Sequence, residues 1–417
     1  MHIELMRVID YWLGIPLCFL LSVAGAAGRA MRLTGRTAKD APRKVMFIKL
    51  SEMGAIVLAY PLLARVKKYR PEAEMFFITF QRNRDIFCLF PGLIKEQNIL
   101  TIRDSGPAAF IIDTFRVIRR MRREKIDIIF DLEFFSRFTA ILAYLSAAGK
   151  RIGFHRYNYE GLYRGNLFTH KVQYNPLFHI SKSYLSLWQV VQEREKTSPE
   201  LGEKVEDKDI ILPEIIPAQN ELEKAKNTLK GFGVGQDSRV FLLNPGEGML
   251  PLREWPLENF ISLAKKILED KKNYIVLIGT KEAAKKAGEL LKEVNSKQCI
   301  NLVDKTEIAE LPALFSVSAG LISNDCGLGH IAALSKIKKI IIFGPESPRV
   351  FGPLGVNNFI FYSELACSPC LSALNHRKSS CRDNKCLKAI GWETVYSSIN
   401  QQQPLQLQLQ DQAAILR

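Results

Sequence analysis

Residues 44–68, KVMFIKLSEMGAIVLAYPLLARVKK, decide the fold. The run KVMFIKL at 44–50 is apolar with almost no alternation, as in a short buried strand, and SEMG at 51–54 supplies a turn before an apolar stretch of helical length. This β-turn-α unit recurs. Further strands are expected at 74–79, 98–102, 126–131 and 150–154, with helical stretches such as 108–123 and 134–147 between them. Strands alternating with helices predict an α/β fold built on a parallel, doubly wound sheet.

The stretch 174–217 turns polar with scattered prolines and 193–209 is charged, so a linker is expected near 190–225. The alternation then restarts, with strands at 239–243, 274–278, 300–303, 320–323 and 339–343 and helices at 257–268, 281–294, 307–316 and 327–335. Two Rossmann-like domains in tandem follow, with a cleft between them faced by the carboxyl ends of both sheets, where open α/β sheets bind ligands. The expected domains are 44–225 and 226–398, preceded by a hydrophobic anchor with a basic linker at 1–43. A Gln-rich tail at 399–417, containing QQQPLQLQLQ, should lack fixed structure.

The chain has 417 residues, 47% of them hydrophobic and 24% charged, which excludes wholesale disorder, collagen-like repeats and a polytopic transporter. Its 58 Lys and Arg against 43 Asp and Glu give a net charge of +15, favouring nucleic acid, an acidic membrane surface or phosphorylated substrates. The arginine-rich helix FRVIRRMRREK at 115–125 suits anionic lipid or an anionic glycolipid. No aromatic-interleaved binding motif accompanies it, which argues against nucleic acid.

Residues 11–28, YWLGIPLCFLLSVAGAAG, are uncharged and would extend about 27 Å as a helix, barely one bilayer core. The basic residues Arg29, Arg32, Arg36, Lys39, Arg43 and Lys44 that follow place the downstream domains on the cytoplasmic side of the inner membrane. Pro16 leaves an in-plane anchor as a rival to a span, and Ala24-Gly25-Ala26 leaves a cleaved signal as a third reading.

Two loops carry the chemistry. Asn244-Pro245-Gly246-Glu247-Gly248 follows a strand, where a glycine turn lets backbone N–H groups approach an anion, and Arg253 stands just beyond it, ahead of Trp255-Pro256. The second, SNDCGLGH at 323–330, joins a strand to a helix whose N-terminus favours phosphate, with Asp325 as the natural N-cap and Cys326, Gly327 and His330 behind it. Each loop alone is also an ordinary turn; together they favour a nucleotide diphosphate. Cys367, Cys370, Cys381 and Cys386 have spacing near that of a zinc ribbon, and read as a structural zinc site, disulfides or free thiols.

KLSEMGAIVLAYPLL at 49–63, NPGEG with REWP at 244–256, IVLIGTKE at 275–282, SNDCGLGHIAA at 323–333 and FGP at 343–345 together resemble the family-nine glycosyltransferases, typified by the ADP-heptose–lipopolysaccharide heptosyltransferases. The resemblance implies a GT-B architecture whose N-terminal domain binds an anionic glycolipid acceptor and whose C-terminal domain binds a nucleotide sugar such as ADP-heptose. It implies donor contacts at Asn244, Gly246, Glu247, Gly279, Asp325, Cys326, Gly327 and His330, with Arg253 on the diphosphate and Glu282 on the ribose. Lys49 and Ser51 are the acceptor-side candidates. Catalysis would be a single inverting displacement, with dipoles and cations rather than a catalytic metal stabilising the leaving group. The family's first loop reads Gly-Asp, the aspartate being the general base; here Gly54 is followed by Ala55, and Glu52 is the substitute carboxylate. The departure also admits a catalytically silent relative that binds nucleotide sugar or glycolipid as a scaffold in envelope assembly.

Overall fold

The computed structural model describes residues 3–31, 42–157, 159–192, 204–246 and 250–401. The chain divides into two compact units, Met1–Ile211 with Leu371–Lys378, and Leu212–Cys370 with Ser379–Arg417.

The first unit runs α1 (Ile3–Trp12), α2 (Gly14–Met31), β1 (Lys44–Ile48), α3 (Met53–Tyr69), β2 (Glu74–Phe80), β3 (Ile99–Ile102), α4 (Pro107–Glu124), β4 (Ile128–Asp131), α5 (Arg137–Leu145), β5 (Lys150–His155), β6 (His170–Gln173) and α6 (Ile180–Gln189). Its strands pair in parallel in the order β3-β2-β1-β4-β5-β6. Both faces of β1 are covered, which explains its unalternating sequence. Met46 and Ile48 join a core with Cys18, Val117, Met121 and Leu142, from α2, α4 and α5. On the opposite face Phe47 stacks on Phe130 at 5.3 Å, and Phe130 lies 6.5 Å from the ring of Trp188 in α6.

The second unit runs α7 (Gln219–Gly231), β7 (Arg239–Asn244), α8 (Leu257–Ile267), β8 (Asn273–Leu277), α9 (Ala284–Val294), β9 (Cys299–Asn301), α10 (Leu311–Ser316), β10 (Gly320–Asn324), α11 (Gly327–Ala332), β11 (Lys339–Ile342) and β12 (Asn358–Phe361). These strands too are parallel, in the order β12-β11-β10-β7-β8-β9. Phe241, Leu243, Ile275 and Ile340 pack with Phe260, Leu263 and Ile267 of α8. Trp255 is fully buried and donates its Nε1–H to the carbonyl of Ile390 at 2.8 Å.

Both sheets have Rossmann order, with the order of strand addition reversing between β1 and β4 and between β7 and β10; ligands of open α/β sheets sit outside the carboxyl ends of strands at such a point. The structure departs from the sequence reading in five places. The stretch taken as polar connection contains α6, whose buried face alternates Tyr184, Leu185 and Leu187 with small serines that hide its periodicity, and β6 just before it was not anticipated. Helix α7, which straddles the expected boundary at 225, belongs whole to the second unit, so the division falls at 211/212. β12 was not anticipated. Residues Leu371–Lys378, expected within the C-terminal domain, belong to the first unit. Most of the Gln-rich tail lies outside the described residues.

Candidate active site

In the first unit the loops after β1 and β4 emerge side by side, because Ile48 is in register with Asp131. Glu133, two residues beyond β4, organises them. Its Oε2 accepts from Lys49 Nζ at 2.9 Å, and its Oε1 accepts from the backbone N–H groups of Leu50 at 2.8 Å and Ser51 at 2.9 Å and from Ser51 Oγ at 3.1 Å. Burial works to raise the Glu133 carboxyl, but the charge of Lys49 and the bonds from Ser51 and Lys49 outweigh it and leave it below the ordinary glutamate value. The two acceptor-side candidates, Lys49 and Ser51, are therefore turned toward a carboxylate that the sequence reading did not single out. Its signal was positional: an acid just past a strand that borders the point of reversal.

Beneath this loop Asp131 is fully buried, ion-paired with Arg164 and accepting from Thr139 Oγ1 at 2.9 Å. Burial pushes its carboxyl up while Arg164 opposes the shift.

Glu52 precedes α3 with φ at +65°, a left-handed conformation costly for a residue with a Cβ. Its carboxylate is ion-paired with Arg377, from the 371–378 segment. Ala55 lies in the first turn of α3, buried, with its N–H donating to the Glu52 carbonyl at 3.0 Å.

In the second unit β7 and β10 are neighbours, and their loops are stitched together. Asn244 donates to Ser323 Oγ at 3.3 Å and Cys326 Sγ at 3.2 Å, and accepts from the Gly246 N–H at 3.0 Å. Asn324 accepts from the Trp255 N–H at 3.0 Å and donates to the Gly246 carbonyl at 2.9 Å. Glycine is required where these loops converge: a Cβ at Gly246 would stand 2.9 Å from Ala283 Cβ, and one at Gly279, whose φ is +151°, would stand 3.0 Å from Asn244 Oδ1.

Arg253 is almost buried, with Nη2 2.6 Å from Glu346 Oε2 and Nε 3.6 Å from Asp325 Oδ2. Asp325 thus faces a guanidinium and is not the N-cap. Cys326 holds that position, because the helix begins at Gly327, where the sequence pattern placed it, and the residue directly before it is the cap. Burial raises the Cys326 thiol, against hydrogen bonds from Ser323 and from the backbone of Leu328 and Gly329. Gly327 opens α11 and His330 is buried within it. Glu282 is exposed in the turn Lys281–Ala283 after β8. Glu247 lies outside the described residues. Glu346, fully buried, was missed: nothing in a lone glutamate after the glycine and proline of FGP marks it as an arginine's partner.

The four clustered cysteines are free thiols; burial raises that of Cys386, with smaller contributions from Cys370, Cys381 and Cys367. Among the described residues no three His, Cys, Asp or Glu are grouped to hold a metal ion. Cys370 Sγ accepts from Ser379 Oγ and Cys381 Sγ donates to the Asp383 carbonyl.

Two Rossmann-ordered sheets in tandem, with glycine-lined loops around a buried arginine at the reversal point of the second, define the GT-B class of α/β proteins. The profile of Glycosyltransferase family 9 (heptosyltransferase) matches residues 114–380, and the chain belongs to that family. It is 27% identical over 151 residues to lipopolysaccharide heptosyltransferase 2 of Salmonella typhimurium, a match covering 35% of this chain and 43% of that protein. The lipooligosaccharide heptosyltransferase 2 of Haemophilus ducreyi is 24% identical over 323 residues, covering 75% of this chain and 86% of that one. The fold is that of the structure described as E. coli ADP-heptose lps heptosyltransferase II, with a TM-score of 0.65, 18% identity, and coverage of 86% of this chain and 97% of that chain.

Proposed function

We propose that the protein is an inverting glycosyltransferase that moves a sugar, heptose from ADP-heptose by its relatives' names, to a lipopolysaccharide-core or other lipid-linked acceptor at the cytoplasmic face of the inner membrane. The observation that carries this reading is the convergence of Asn244, Gly246, Gly279 and Arg253 at the reversal point of the second sheet, where a nucleotide diphosphate is bound in folds of this order. In the reaction an acceptor hydroxyl attacks the anomeric carbon, the bond to the diphosphate oxygen breaks, ADP leaves, and the hydroxyl proton passes to a carboxylate. Glu52 is the proposed base, supported by its place in the loop and its strained backbone. Arg253 and the surrounding backbone dipoles are the proposed stabilisers of the leaving diphosphate, in place of a divalent metal.

The test is acceptor-dependent ADP release by detergent-purified protein, with a panel of nucleotide sugars and a membrane glycolipid extract. Release with one donor supports the reading, and an unchanged rate in Glu52→Gln removes Glu52 as the base. The pairing of Glu52 with Arg377 favours one alternative, a silent scaffold, whose signature is nucleotide-sugar binding without release. A structural zinc on Cys367, Cys370, Cys381 and Cys386 has the sequence spacing as its support; elemental analysis of reduced protein decides it.

A further inference from the structure

The apolar N-terminal segment is folded along the first unit. The helical stretch Leu5–Ala27 is long and apolar enough to cross a membrane. Yet α2 turns a row of small residues inward: a Cβ on Gly14 would meet Arg137, Cys18 is fully buried, Ser22 Oγ accepts from the Asn166 N–H at 2.7 Å, and a Cβ on Gly25 would meet Tyr144 Oη. Positions 14, 18, 22 and 25 share one helix face and run about 16 Å along its axis. α1 is clamped as well. Asp10 Oδ1 accepts from the backbone N–H groups of Arg137 at 3.0 Å and Phe138 at 2.8 Å, and Oδ2 pairs with the Arg137 guanidinium at 3.1 Å, so Asp10 caps α5 from another helix.

The outward faces are apolar. Trp12, Leu13, Leu17, Phe19, Leu20 and Val23 are all exposed, Trp12 to 69%. On the same side of the sheet, α4 exposes Ile111, Ile112 and Phe115, followed by the exposed arginines 116, 119, 122 and 123. α4 and the N-terminal pair flank α5: Phe110 lies 5.0 Å from the ring of Phe138, whose N–H Asp10 holds.

We infer that this layer is an in-plane membrane-docking surface, in which α1 and α2 lie in the headgroup–acyl boundary of an anionic bilayer and the arginines of α4 meet its phosphates, so that the segment does not span. A helix with one flank bonded to a water-facing domain along most of its length cannot be ringed by lipid tails, whereas a helix lying in the interface needs one apolar flank and one covered flank. Aromatic residues at the α1–α2 junction and neighbouring arginines suit that boundary. A second copy is the poorer occupant, since a two-fold contact would set the α4 arginines of each copy near those of the other. The inference deepens the membrane location proposed above and is independent of the transfer chemistry.

Two measurements on the full chain test it. Sedimentation with phosphatidylcholine vesicles, with and without 30% phosphatidylglycerol, should show at least about tenfold stronger binding to the anionic vesicles. Leu13→Glu with Leu20→Glu should lower that binding at least about tenfold with the melting temperature held. In inverted membrane vesicles, added protease should remove an N-terminal tag as readily as a C-terminal one. A protected N-terminal tag would overturn the inference in favour of a span, and failure to bind vesicles together with a dimer dispersed by Leu20→Glu would overturn it in favour of self-association. Either failure leaves ADP release from detergent-solubilised acceptor unaffected, so it is distinguishable from failure of the transferase reading.

Discussion

Lys49 Nζ lies 2.9 Å from Glu133 Oε2, and both side chains are almost withdrawn from water. The pair fixes the first loop of the N-terminal unit, because the other oxygen of Glu133 takes the N–H groups of Leu50 and Ser51. Glu133→Ala leaves the Lys49 ammonium buried without its counter-charge and should cost about 3–5 kcal/mol. Glu133→Gln keeps the size but also removes the counter-charge and turns one accepting oxygen into a donor NH2, so it should cost nearly as much, about 3 kcal/mol. It should also lower kcat by about tenfold or more through misplacement of the Ser51–Glu52 backbone. Chemical denaturation and steady-state kinetics on both variants check this; a normal kcat in folded Glu133→Gln would mean that the loop is not part of the reaction.

Arg253 should divide binding from stability. Arg253→Ala strands the buried carboxylates of Glu346 and Asp325, at a cost of about 3–5 kcal/mol. Arg253→Lys retains the charge but not the bidentate fork, so it should fold with a smaller loss and still raise the donor KM by about tenfold or more. A folded lysine variant with an unaltered KM would remove Arg253 from the diphosphate.

Gly279→Ala forces a Cβ to 3.0 Å from Asn244 Oδ1 and 3.1 Å from Ala283 Cβ at a φ of +151°. It should destabilise by about 1–3 kcal/mol and weaken donor binding. Gly288→Ala is the control: it lies in α9 with open space around it, and should stabilise by about 0.5–1 kcal/mol with donor affinity unchanged. Calorimetric titration with ADP on both variants separates the two effects.

Asp113 carries a defined pH signature. The hydrogen bond from Arg103 is the largest influence on its carboxyl, and with further help from Arg103 and Arg116 it outweighs burial and holds the group at about 2, down from 3.8. A depressed folded-state value means stability that is fully present above 3.8 and is lost as pH falls toward 2. Asp113→Asn should cost about 1–2 kcal/mol at neutral pH, the exposed arginines limiting the gain. The difference from wild type should shrink through that acid window, as urea melts at a series of pH values would show.

The sequence by itself determined the elements whose burial is symmetric. β1 and β7 are covered on both faces, so they appear as unbroken apolar runs, and the glycine-bearing loops after β7 and β8 are visible because glycine alone tolerates the close approach at 246 and 279. It also marked Arg253, Asn244 and the loop at 323–330 as one site, since strand-to-helix loops in a tandem doubly wound chain have few places to go. Tertiary structure alone decided which charges meet. Glu133 with Lys49, Glu346 with Arg253, Asp10 with the start of α5 and Glu52 with Arg377 join residues far apart in the chain, and no local pattern encodes such a pairing. The same holds for the N-terminal segment. Hydropathy counts apolar residues around the whole helix, whereas the inward row of Gly14, Cys18, Ser22 and Gly25 acquires meaning only against the surface of α5 and its neighbours.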